Sequence, residues 1–176
     1  MNKIKKKKGI LFWITGLSGS GKTSLGEEIK KEISKKYGTT ICISGDDLRE
    51  IFNYKNYSKK SRLDLALRYS NFCKLITDQN INIIFSTVSM FHKVRERNKR
   101  YIKNYIEIYI KSNIQTLIRK KNKKFYKGFH KNIVGKNLKA EFPKNPNIVL
   151  ENDFKISIKK LSKILLKKIF NAKLKK

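Results

Sequence analysis

Five short apolar runs punctuate the chain: GILFWIT at 9–15, TTICIS at 39–44, INIIFST at 81–87, YIEIYI at 105–110 and NIVLEN at 147–152. The first and third are apolar nearly throughout. That is the pattern of strands covered on both faces of a parallel sheet, not the in–out alternation of a half-exposed strand. The longer polar stretches between them predict helices over 22–36, 47–53, 59–79, 91–103, 113–122 and 155–170. Strand and helix in alternation predict an α/β fold, a parallel five-stranded sheet with helices on both faces. No internal repeat or linker interrupts the pattern, so residues 1–176 read as one domain, with a basic tail at 1–8.

Residues 153–176 differ from the rest. Ile158, Leu161, Ile164, Leu165 and Ile169 recur at spacings of three and four, with Lys on the opposite face. This is an amphipathic helix. Its apolar stripe packs on the sheet, or its basic face lies on an acidic membrane.

Charge alters this picture little. The formal net charge is +30, from 43 Lys and Arg against 13 Asp and Glu. Such a field attracts nucleotides, nucleic acid and acidic membranes. The lysines are spread along the chain rather than gathered in one tract, which fits a biased composition as well as a selected polyanion surface. Cys42 and Cys73 sit in apolar contexts and read as small buried hydrophobes, and His92 and His130 are isolated, so no metal-binding spacing is present. The start MNKIKKKKGILFWITG imitates a signal peptide, but its apolar run is short and leads into glycines and Lys22. No window is apolar for about 18 residues. The expectation is a cytoplasmic protein without integral membrane contact.

The chemistry begins directly after the first apolar run. Gly16-Leu17-Ser18-Gly19-Ser20-Gly21-Lys22-Thr23 fits G-x-x-x-x-G-K-[ST] at every fixed position, followed by Ser24 and a helix-forming stretch. Glycines let successive N–H groups converge on phosphate oxygens, and the helix adds its positive end. Lys22 then reaches the β- and γ-phosphates, and the Thr23 hydroxyl holds Mg²⁺. This predicts a P-loop NTPase fold that uses ATP or GTP with Mg²⁺. A GTPase would want N-K-x-D, and NKKF lacks the Asp; motors usually need a longer chain; small kinases fit. The turn-rich EFPKNPN, with Pro143 and Pro146, is expected to run in over the nucleotide site, and 119–132 falls where a kinase lid would lie.

Four further segments carry a resemblance: SGDDLRE (44–50), YSKKSRLDLALRYSNFCKLITDQNINIIFSTVSMF (57–91), FYKG (125–128) and NIVGKNLKAEFPKNPNIVLEN (132–152). With GLSGSGKTS they resemble the adenylyl-sulfate kinase family over 9–152. The resemblance implies transfer of the ATP γ-phosphoryl to the ribose 3′-hydroxyl of adenylyl sulfate. It implies Asp46, Lys22 and Ser89 as catalytic residues, with Thr23 and Asp46 on the metal. It adds Arg119 to the phosphate loop on the ATP side, and Arg49, Tyr57, Arg62, Ser89, Lys127 and Ile133 to Asp46 on the acceptor side. Physically, a carboxylate just past the second strand lies where ligands bind outside strand ends, and guanidinium forks pair two anionic oxygens at once. Asp46 also reads as a helix N-cap, Arg68 as a further basic position or a solvated one, and Ser86 to Ser89 as strand-end hydrogen bonders.

The sequence departs from the family at several places. Ser44 stands where a first Asp is usual, Leu65 where an Asn is usual, and Ile133 where a Phe closes on the adenine; the lid is short. The chain also resembles a sister group that phosphorylates cytidine diphosphoramidate in making capsule phosphoramidate. A reading from another class is a basic nucleic-acid-binding P-loop ATPase, without an aromatic–basic signature to support it. Partners are therefore small nucleotide substrates rather than a specific nucleic acid. A homodimer is the assembly the resemblance suggests, with no interface pattern visible.

Overall fold

The computed structural model describes residues 8–121, 134–135 and 138–172. Strands β1 (Ile10–Gly16), β2 (Thr40–Ser44), β3 (Asn82–Thr87), β4 (Asn104–Lys111) and β5 (Ile148–Glu151) form one sheet in the order β2-β3-β1-β4-β5, with every neighbouring pair parallel. Helices α1 (Lys22–Tyr37), α2 (Gly45–Ile51), α3 (Lys59–Asp78), α4 (His92–Tyr101), α5 (Ile114–Lys121) and α6 (Ile158–Asn171) connect and cover it.

All seven residues of β1 are buried, which explains its unbroken apolar run. Ile10, Phe12 and Ile14 face a core shared with Leu25, Ile29 and Ile33 of α1 and with α6. Leu11 and Trp13 face the opposite core, with Leu65, Tyr69 and Cys73 of α3 and Val94 of α4. Trp13 stacks on Phe85 of β3, ring centroids 5.2 Å apart. The amphipathic C-terminal stripe is resolved in favour of packing: Leu161, Leu165 and Ile169 are buried against the first core, while Ile164 is exposed. Among the described residues no helix is long and apolar enough to cross a membrane.

The topology places the site. From β1 the chain moves outward to β2 and β3, then returns across β1 to β4 and β5. The carboxyl end of β1 is thus the switch point, where ligands bind in sheets of this kind. Both the loop after β1 and the turn after β2 open there.

Several elements differ from expectation. Helix α2 begins at Gly45 rather than at 47, because Ser44 caps it: its side chain accepts from the Asp47 N–H, and the Asp47 carboxylate accepts from the Ser44 N–H. Helix α6 starts at Ile158 rather than 155, capped by Ser157. Cys73 is buried, but Cys42 is only half-buried. The EFPKNPN segment does not roof the nucleotide site. It braces α4 and β4: Glu141 N–H donates to the Met90 carbonyl and its carboxylate accepts from His92 N–H, Lys99 reaches the Asn145 carbonyl, and Asn147 accepts from Glu107 N–H. The reason is a buried charge cluster. Glu107, buried on β4, pairs with Arg95 and Lys99 at 3.1 Å each, and Arg95 also donates to the Glu141 carbonyl.

Candidate active site

The loop after β1 is shaped by its glycines. Gly19 (φ 81°) and Gly21 (φ 91°) occupy the left-handed region, which residues with a Cβ adopt only at a cost. The loop therefore turns tightly into α1, a conformation in which successive N–H groups can converge on an anion. A cavity of about 210 Å³ opens there, lined by Ser18, Gly19, Gly21, Lys22, Thr23, Ser24 and Asp46, with Ser86, Thr87 and Val88 from the β3 side. The Lys22 ammonium is largely buried and donates to the Leu17 carbonyl at 2.8 Å. The donor set suits a triphosphate with its Mg²⁺: loop N–H groups, one buried cation, the Thr23 hydroxyl and a carboxylate on the far wall.

Three residues of the motif, Gly16, Leu17 and Ser20, do not line this cavity, and the Ser20 N–H donates to the Leu17 carbonyl within the loop. Gly16 and Ser20 are buried. The Leu17 side chain is buried in a separate apolar cluster with Met90, Leu117 and Val134, which ties the loop to α5 and to the segment before β5.

A second, larger cavity of about 330 Å³ adjoins the first. Asp46, Arg49, Tyr57, Arg62 and Ser89 all line it, as does Leu65. Ser18, Asp46, Thr87 and Val88 line both cavities, so the two spaces meet at Asp46. With Ser44 and Asp47 forming the cap, Asp46 is not the N-cap that its position suggested, and it makes no hydrogen bond among the described residues.

The outer wall of this cavity is cationic. The guanidinium carbons of Arg49 and Arg62 lie 4.3 and 5.1 Å from the Tyr57 ring centroid, so the ring sits against both cations. Arg62 Nε donates to the Tyr57 carbonyl, and Arg49 Nη1 to the Tyr54 and Asn56 carbonyls. Burial, then the charge of Arg49, pushes Arg62 below its usual pKa, though guanidinium remains a cation near neutral pH. An anion entering between the two arginines relieves that repulsion. The Ser89 hydroxyl is buried without a partner among the described residues, and it lies two residues beyond β3 rather than at its end.

Other expected residues fall elsewhere. Arg119 lies exposed on α5 and lines neither cavity. Arg68 pairs with Asp64 on the solvated face of α3. Ser86 lines the loop cavity and donates to the Lys22 carbonyl, the strand-end bond expected of it. Lys127, Ile133 and most of the presumed lid lie outside the described residues.

Sequence reasoning missed Tyr69, Ala66, Thr87 and Asn152. Tyr69 and Ala66 line the second cavity; their spacing from Arg62 and Leu65 on α3 was the available signal. Asn152 follows β5, is buried, and donates from Nδ2 to the Ser20 carbonyl at 2.9 Å. No local pattern announces a bond across 132 residues.

A family model for adenylylsulphate kinase matches residues 8–151. The cytidine diphosphoramidate kinase of Campylobacter jejuni is 33% identical over 168 residues, covering 93% of this chain and 98% of that protein. An adenylyl-sulfate kinase of Clostridium kluyveri is 29% identical, covering 93% of this chain and 85% of that protein. The APS kinase CysC of Mycobacterium tuberculosis, solved in complex with AMPPNP and APS, has a similar fold. Its TM-score is 0.82 at 22% identity, covering 93% of this chain and 99% of that one.

Proposed function

This chain belongs to the adenylylsulphate kinase family, and from that premise we propose that it transfers the γ-phosphoryl of ATP to a ribose hydroxyl of cytidine diphosphoramidate. The observation that carries the reaction type is the meeting of a phosphate-loop cavity and an arginine-walled cavity at one carboxylate, Asp46. The Campylobacter relative, matched over nearly its whole length, supports the cytidine acceptor. So does Leu65, buried in the acceptor cavity where the resemblance places an Asn. Leu65 offers no hydrogen-bond partner to any base and meets it as apolar wall, so it removes an amide contact that the resemblance assigns to the adenine acceptor.

Placement supports the following roles. The loop N–H groups and Lys22 hold the β- and γ-phosphates, and Thr23 takes the Mg²⁺ that arrives with ATP. Arg49 and Arg62 hold the acceptor's anionic end, and Tyr57 offers its ring to the base. Asp46 aligns the ribose hydroxyl and accepts its proton as the hydroxyl oxygen bonds to the γ-phosphorus. The bond from that phosphorus to the β,γ-bridging oxygen breaks, and ADP leaves with the electron pair. Ser89 hydrogen-bonds the acceptor from the floor of the cavity.

Adenylyl sulfate is the second reading, favoured by the family model and by the position of Arg49 and Arg62, which suits any small dianionic ester. A side-by-side assay with ATP·Mg²⁺ and each acceptor decides. Faster turnover of the cytidine conjugate supports the first reading, faster turnover of adenylyl sulfate the second, and turnover of neither removes both. A rise in ATPase rate on adding RNA or DNA would instead favour a nucleic-acid-dependent enzyme.

A further inference from the structure

We propose that Tyr69 is a positioning residue for phosphoryl transfer, its buried hydroxyl fixing the peptide that carries Asp46; this rests on the kinase reading. Tyr69 lies on α3, 4% exposed, with one edge on the acceptor cavity. Its hydroxyl donates to the Gly45 carbonyl at 2.6 Å. Gly45 opens α2 and directly precedes Asp46, so the bonded carbonyl belongs to the peptide unit that includes the Asp46 nitrogen.

Three further observations give that bond its weight. First, Asp46 has no hydrogen bond of its own among the described residues, because Ser44 and Asp47 close the cap between themselves. Among those residues no side-chain partner holds its carboxylate, so its backbone fixes the point from which that exposed side chain leaves the chain. Second, that backbone is wedged in place. A Cβ on Gly45 would lie 2.9 Å from Thr87 Oγ1 and 3.1 Å from Tyr69 Cε2, so only glycine lets the peptide pass between the end of β3 and the Tyr69 ring. Third, the ring is held from behind by Phe85 at 5.2 Å, and Phe85 is held by Trp13. A row of packed aromatic rings, Trp13 stacked on Phe85 and Tyr69 tilted against it, thus runs from the sheet to the peptide of the candidate base. Burial, the largest cause, pushes the Tyr69 hydroxyl up to about 12, so it keeps its proton and remains a donor at every pH of interest. Asp46 and Arg49 both act electrostatically on this hydroxyl, the first raising and the second lowering its pKa.

A merely structural tyrosine would leave catalysis intact when only its oxygen is removed. The test is Tyr69→Phe in the full chain, with whichever acceptor the wild type turns over. The expected result is a fall in kcat of roughly tenfold, the size of one hydrogen bond, with KM for ATP and ADP affinity unchanged and a lowered thermal midpoint, since the Gly45 carbonyl loses a buried partner. In an Asp46→Asn background the same substitution should have no further effect, because the hydroxyl acts through Asp46. Unchanged kcat in Tyr69→Phe, an undiminished effect in the Asp46→Asn background, or loss of ADP binding overturns the proposal. Failure of the kinase reading looks different: the wild type itself then turns over neither acceptor, and both fall together.

Discussion

The Asn152 amide donates to the Ser20 carbonyl at 2.9 Å, joining the end of β5 to the crown of the phosphate loop. The same side chain accepts from Phe154 N–H, and its backbone bridges to Lys111 and Ser112 at the end of β4. The loop is therefore braced across the width of the sheet. Asn152→Ala should raise KM for ATP about tenfold and lower stability by about 1–3 kcal/mol, since a buried carbonyl loses its partner. Asn152→Asp should do more, by setting a carboxylate against a carbonyl oxygen. Nucleotide titration beside thermal melts checks both, and equal ATP affinity in all three proteins would refute the bracing role.

Leu65 lines the cavity proposed for the acceptor. Leu65→Asn should shift the ratio of kcat/KM values towards adenylyl sulfate and away from the cytidine conjugate. It should also cost about 1–3 kcal/mol, because the amide enters an apolar wall. Competition between the two acceptors in one reaction measures the shift directly. A ratio that stays fixed would show that discrimination lies elsewhere.

The buried Glu107 holds Arg95, which in turn holds the chain at Glu141 and contacts His92 Nδ1. Burial raises the Glu107 carboxyl above its usual range, with Lys99 and Arg95 opposing, while burial lowers Arg95. Removing one partner strands the other charge. Glu107→Ala should therefore cost about 3–5 kcal/mol, read by urea unfolding, and a loss below about 1 kcal/mol would mean that water replaces the carboxylate.

Thiol chemistry offers a check on the α1–β2 packing. Burial, with Glu27 adding, pushes the Cys42 thiol up to about 11, and burial raises Cys73 well above its ordinary value. Raising the pKa favours the neutral thiol, so at pH 8 the reactive thiolate should be about a hundredfold scarcer at Cys42 than in a free cysteine. Disulfide-exchange labelling of the folded protein should be slow and should accelerate up to about pH 11. Rapid reaction at pH 7 would contradict this packing.

Alanine at Lys22 should abolish phosphoryl transfer while leaving the thermal midpoint within a few degrees. Its ammonium donates to the Leu17 carbonyl at 2.8 Å beside the loop cavity, where it would meet the β- and γ-phosphates. Residual turnover above about 1% of wild type would exclude the loop as the donor site.

The sequence by itself determined the phosphate loop, the alternating α/β order and the cover on both faces of β1. These are local: glycine geometry, periodicity and unbroken apolar runs act within one element. It also placed Asp46, Arg49, Tyr57, Arg62 and Ser89 as candidates, because a motif fixes residue type at short spacing. The tertiary structure decided what those residues meet. The capping box that leaves Asp46 without a hydrogen bond needed the turn from β2 into α2, and the grip of Tyr69 on Gly45 needed α3 to cross that turn. The Asn152 brace and the Glu107 cluster join strands and segments dozens of residues apart, and EFPKNPN was drawn to α4 and β4 by that buried charge. Such pairings leave no trace in spacing, because burial and charge satisfaction act only after distant elements have been brought together.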